Sequence, residues 1–184
     1  MIDTLSIIHK FYDPETPLCK LLVMHSEQVS TLARQLAERL INEHIPVDID
    51  FVVEAAMLHD IGIIHTHAPG IYCEGTEPYI CHGVIGRAML DELGLFRHAL
   101  VCERHTGAGL SIDDIEKQSL PLPHRDLLPV SIEEKLVCYA DKFYSKSHPD
   151  QPTRTLDIAR AKLAKFGPAT LCRFDAMATL FGPP

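Results

Sequence analysis

Apolar residues recur along this chain at intervals of three and four almost from end to end, and no stretch alternates convincingly. That period predicts helices. Residues 1–10 read as a short helix ended by DPETP. Residues 18–43 read as a long one, with Leu22, Val29, Leu32, Leu36 and Leu40 spaced for one face. Asp48 or Asp50 can cap a third helix over 51–60, and Gly62 lets the backbone turn away after it. The stretch HTHAPGIYCEGTEPY then reads as loop. Residues 80–93 and 95–106 give two more helices, ended by Gly94 and by Gly107-Ala108-Gly109. Pro121, Pro123 and Pro129 make the following segment an ordered loop rather than a helix. Ser131 with Glu134 has capping-box spacing and starts a helix that runs to about Lys146. Helices over 154–166 and 168–181, split by Gly167-Pro168, complete the chain. The expected fold is all-α: a single-domain bundle of seven to eight helices, with a core over about 20–147 and C-terminal packing helices over 154–181.

Composition narrows the function classes. A length of 184 residues favours one domain with one sizeable core. The net charge is −8, with Lys and Arg scattered. A nucleic-acid polymer needs a clustered basic face, so none is expected as partner. A small phosphorylated substrate stays open, because a bound cation can supply positive charge locally. The six cysteines include no CxxC pair. They read as reduced, mostly buried thiols of a cytoplasmic protein, and a Cys73–Cys81 disulfide is the weaker reading. The N-terminal MIDTLSIIHKFYDPETP carries no signal-peptide pattern, and no apolar run is long enough for a membrane.

Five helical faces are interrupted by polar residues. His25 lies four before Val29 and seven before Leu32, on the core stripe. Asp60 follows His59 at the end of the third helix, four after Ala56. His82 lies on the stripe through Ile85 and Met89. His105 is three after Cys102, and Asp141 is four after Val137. Taken singly, an inward His is more often a core histidine bonded to a carbonyl. Asp141 alone could be a buried ion-pair partner. Taken together, four His and two Asp at inner positions of five helices are what a metal site in a bundle core needs. The donors suit iron, manganese, cobalt or zinc rather than a thiolate-bound structural zinc.

The order His25, His59-Asp60, His82, His105, Asp141, with HDIG at the second place and YADK around the last Asp, resembles the HD-domain metal-dependent phosphohydrolases. The extra histidines, in HGVIGRAML and ERHTGAG, are similar to those of the six-ligand branch, which holds two metals. That branch includes symmetrical dinucleoside-tetraphosphate hydrolases and cyclic-dinucleotide phosphodiesterases. The GYP element of the latter is absent, which argues against cyclic dinucleotides. The resemblance covers about residues 20–147.

What it implies is specific. One metal would take His25, His59, Asp60 and Asp141; the second would take His82, His105 and the other oxygen of Asp60. Two divalent ions are expected, iron or manganese first, with zinc, cobalt, nickel or magnesium as other fits. The reaction is then hydrolysis of a nucleotide or other small phosphorylated substrate by a metal-activated water. A homodimer is compatible with it. Asp60 would bridge, and Arg125 and Lys142 would contact phosphate or leaving group, Arg125 as a bidentate clamp carried by loop 107–130. His65 and His67 are further donor candidates. Each of these four also has a plain reading as a surface or loop residue. Relatives with the same six ligands use a mixed-valent di-iron centre to activate oxygen, and the ligands alone do not separate the two chemistries. A non-catalytic nucleotide-binding module is the third reading.

Overall fold

The computed structural model describes residues 1–148 and 151–184. Among them are nine α-helices: α1 Thr4–Ile8, α2 Pro17–Asn42, α3 Ile49–Leu58, α4 His82–Glu92, α5 Phe96–Arg104, α6 Ile112–Lys117, α7 Ile132–Asp141, α8 Leu156–Leu163 and α9 Pro168–Phe181. Local chemistry explains where they start. Thr16 accepts from the Cys19 amide, with Pro17 in the first turn of α2, and Asp48 accepts from the Phe51 amide to start α3. The fold is mostly all-α. No helix among the described residues is long and apolar enough to cross a membrane.

The apolar stripe of α2 feeds two cores. Val29, Leu32, Leu36 and Leu40 pack with α3, α7 and α9, around Tyr139, Phe143 and Phe174. Cys19, Leu21 and Leu22 pack with α1, the end of α3, α4 and α5. Each buried Leu contributes about 1.5–3 kcal/mol relative to exposure. His25 sits on the stripe between Leu22 and Val29, where one core gives way to the other. The polar cluster described below lies along that seam.

Several local expectations are corrected. The HTHAPGIYCEGTEPY stretch is not plain loop. It holds β1 (Thr66–Ala68), β2 (Cys73–Glu74) and β3 (Glu77–Pro78) in the order β2-β1-β3, with β1 antiparallel to β2 and parallel to β3. Strands of two or three residues are too short to show alternation. Gly62 is not needed for a left-handed turn. A Cβ there would stand 2.2 Å from the His82 carbonyl oxygen and 2.4 Å from the Gly86 amide, so its hydrogen admits close contact with α4. Gly83 serves the same end against the Cys102 carbonyl. The 107–130 segment contains α6, and the complete capping box is there, between Ser111 and Asp114. At α7 the Ser131 hydroxyl does accept from the Glu134 amide. The Glu134 carboxylate, however, accepts from the Val130 amide and pairs with Arg104, so the box is only half formed. Helix α7 ends at Asp141 rather than near Lys146. Cys73 and Cys81 are both free thiols, the reading that the sequence favours.

Candidate metal centre

The six ligand candidates meet at the seam. His25 comes from the middle of α2, His59 caps the C-terminus of α3 with Asp60 next, His82 opens α4, His105 caps α5 and Asp141 ends α7. The Tyr12 hydroxyl donates to the Ile61 carbonyl at 2.6 Å and accepts from the Ile64 amide at 3.0 Å, which pins the turn after Asp60. Asp60 is fully buried, and its two oxygens face different neighbours. Oδ2 lies 3.3 Å from His25 Nε2 and 2.9 Å from His59 Nε2. Oδ1 lies 3.4 Å from both His82 Nε2 and His105 Nε2. Asp141 Oδ1 completes the first group, 3.0 Å from His25 Nε2 and 3.6 Å from His59 Nε2. Two donor sets result, His25–His59–Asp60–Asp141 and Asp60–His82–His105, each with its atoms within 4.8 Å of one another and sharing Asp60.

The chemistry of these atoms fits a cation. Nδ1 of His59, His82 and His105 lies 2.6, 2.7 and 2.7 Å from the carbonyl oxygens of Ala56, Tyr79 and Cys102. A carbonyl can only accept, so each Nδ1 carries a proton, and in the neutral form of each ring the lone pair sits on Nε2, aimed inward. His82 Nε2 and His105 Nε2 are 3.1 Å apart, so two lone pairs face each other across Asp60 Oδ1. His59 Nε2 and Asp60 Oδ1 are buried without a hydrogen bond. Close approach with poor hydrogen-bond angles is what donors converging on a common ion show, and unpaired burial of such groups is otherwise costly.

Electrostatics point the same way. Burial, followed by the neighbouring His105, pushes His82 down to about 3. Burial also lowers His105. Burial opposes ionisation of Asp60 and Asp141, but His59 and Lys146 around the first, and Lys142 and Lys146 around the second, hold both carboxyls well below the usual range. Burial likewise opposes a charged His59, yet Asp60 and then Asp141 push it up to about 9. Two neighbouring carboxylates, one of them fully buried, therefore draw positive charge from whatever can deliver it.

The cluster opens on a cavity of about 620 Å³ that His25 and Asp141 reach. Lys142 lines it and donates to Asp141 Oδ2 at 2.7 Å and to the His105 carbonyl at 3.0 Å. Lys146, which the sequence reading did not single out, also lines it and sets its Nζ 2.6 Å from Asp60 Oδ2. It lies beyond the end of α7, where helical spacing no longer says which way a side chain points. Tyr79 was missed too; its ring stacks on His82 at 4.8 Å between centroids. The structure does not bring Arg125 to the cavity. Its guanidinium forks onto the fully buried Glu103 carboxylate, which Arg87 also binds. His65 and His67 are exposed, and Lys117 and His124 of the same loop pair with Asp113 and Glu116. The Cys102 and Cys138 thiols face the carbonyls of Leu58 and His105, so they donate rather than ligate.

A family model described as HD domain matches residues 22–145. An uncharacterized protein of Methanocaldococcus jannaschii is 40% identical over 121 residues, 65% of this chain and 64% of that protein. A protein of Picrophilus torridus named tRNA (cytidine(56)-2'-O)-methyltransferase is 35% identical over 126 residues, 68% of this chain but 32% of its own length. Its namesake in Thermoplasma volcanium is 32% identical over 125 residues, again 32% of its length. The match thus spans less than two thirds of each relative. No solved structure matches at comparable significance.

Proposed function

The chain belongs to the HD domain family, and from that premise we propose that it is a metal-dependent phosphohydrolase acting on a nucleotide or other small phosphorylated substrate through a binuclear site. The observation that carries this reading is Asp60, whose two oxygens each face a separate set of imidazole nitrogens. His25, His59, Asp60 and Asp141 would hold one ion, and His82, His105 and Asp60 the other. Bound there, divalent ions such as iron or manganese lower the pKa of water and offset charge on phosphoryl oxygens.

The chain's own residues do the rest. Carbonyl partners fix the tautomer and aim of three imidazoles before any ligand arrives. Lys142 fixes one oxygen of Asp141 and leaves the other toward His25. Tyr79 covers one face of His82 and keeps water from that side. Positive side chains at the cavity, described next, attract an anion to a chain of net charge −8. The methyl transfer in the names of two relatives belongs to proteins of which the match covers only 32%.

The test is an anaerobic assay of metal-reconstituted protein against nucleotides, dinucleoside polyphosphates and simple phosphate esters. Release of phosphate or nucleotide without oxygen supports hydrolysis. Strict oxygen dependence, with no ester or anhydride cleaved, overturns it in favour of oxygenation.

A further inference from the structure

The whole chain carries 17 Lys and Arg against 25 Asp and Glu. The wall of the 620 Å³ cavity reverses that balance: among the described residues Lys142, Lys146, Arg154 and Lys162 line it, against the single carboxylate of Asp141. Three of the four cations, Lys146, Arg154 and Lys162, lie beyond residue 145, where the family match ends. They come from three different places, the turn after α7, the segment before α8, and α8 itself. Separate elements therefore deliver positive charge to one cavity.

The partners of these cations leave charge to spare. Arg154 donates to the carbonyls of Lys142 and Tyr144, which hold it in place without neutralising it. Lys162 is exposed, and burial followed by the neighbouring Arg154 and Lys165 lowers its pKa, so its surroundings are cationic. Lys146 rests on Asp60 Oδ2, the oxygen that a cation bound with His25 and His59 would claim. Two positive charges compete for that oxygen, and the cavity is the other direction the Lys146 side chain already faces. Much of the remaining wall is apolar, with Ile71, Leu120, Leu163 and Phe166. Low-dielectric walls strengthen the field of cations facing them.

Building on the phosphohydrolase reading, we infer that Lys146, Arg154 and Lys162 form an anion subsite that selects substrates carrying a second anionic group beyond the one at the His/Asp cluster. The family core would provide the reacting centre, and Lys146, Arg154 and Lys162 would set which anion fits.

Calorimetry on the metal-loaded full chain tests this, with inorganic phosphate and inorganic pyrophosphate as probes. The wild type should bind pyrophosphate more tightly than phosphate. Lys162→Glu should weaken pyrophosphate by about ten-fold or more while changing phosphate by less than about two-fold. Lys and Glu have similar helix propensity and Lys162 is exposed, so the fold and the metal content should be unchanged. Equal pyrophosphate affinity in Lys162→Glu and wild type, or no preference for pyrophosphate in the wild type, overturns the subsite. The two readings fail separately. Lys162-dependent pyrophosphate binding without hydrolysis of any phosphorylated compound keeps the subsite and removes the hydrolase. Hydrolysis with affinity and kcat/KM indifferent to Lys162→Glu does the reverse.

Discussion

His82 and His105 face each other nitrogen to nitrogen, with Nε2 atoms 3.1 Å apart while each Nδ1 is committed to a backbone carbonyl. Neither ring can donate to the other without giving up that bond. A shared cation would resolve the conflict.

Chelation should therefore destabilise the protein. A ligand present at about 100 times its Kd adds about 2.7 kcal/mol to folding stability. For a domain of this size that corresponds to about 5–10 °C in Tm. Differential scanning calorimetry before and after chelator treatment, then after manganese is restored, measures it. An unchanged Tm at micromolar metal removes the idea that the cluster is held by ions.

Asp60 faces both halves of the cluster, so Asp60→Asn should lower the content of both metals and abolish turnover. His105→Ala should leave about one ion per chain, because only the second donor set loses a member. Elemental analysis reads both. An Asp60→Asn protein that keeps two ions and near-normal turnover shows that the ligands are wrongly assigned.

Arg125 is committed to Glu103, so its removal is a stability question. Arg125→Ala leaves Arg87 on a carboxylate whose side chain is 0% exposed. Losing one charge-assisted partner should cost about 1–3 kcal/mol in urea unfolding. Metal content and kcat/KM should stay within about two-fold. A ten-fold rise in KM at unchanged stability would instead restore Arg125 as a phosphate clamp.

Lys142 binds Asp141 and faces the cavity, so Lys142→Met should lower kcat/KM by about ten-fold or more, a loss of about 1.4 kcal/mol. The bound-metal count should fall less than in Asp60→Asn. Turnover equal to wild type would reduce Lys142 to a packing residue.

Acid stability should depend on Asp114. Burial would raise its pKa, but the Ser111 amide and hydroxyl and Arg173, at 2.5 Å, hold it below the usual carboxylate value. A carboxyl lowered on folding stabilises fully above its unfolded pKa, about 3.9, and the contribution fades as pH falls through the folded value. The cost of Asp114→Asn, about 1–3 kcal/mol at pH 7, should thus shrink below about pH 4. Urea titrations of chelator-treated wild type and variant at both pH values decide it; a cost that stays constant into acid means the carboxylate charge is not what stabilises.

Helical period and caps place most elements of this fold, because an i, i+3, i+4 stripe and a Thr16 or Asp48 cap are local facts. That His25, His59, Asp60, His82, His105 and Asp141 turn inward is legible for the same reason: each is a polar residue on a face that is otherwise apolar. What local pattern cannot carry is the partner across the chain. Arg125 and Lys142 look equally available in the sequence. Folding spends one on Glu103, 22 residues away, and turns the other to Asp141 and the cavity. Lys146 follows a helix end, so no periodicity aims it at Asp60, and Gly62 looks like a turn until α4 is seen packed on it. The kinds of donor are written along the chain. Which oxygen of Asp60 faces which imidazole, and which cations are left uncompensated beside them, is settled by the packing of helices against one another, because each depends on distances between segments that no single segment contains.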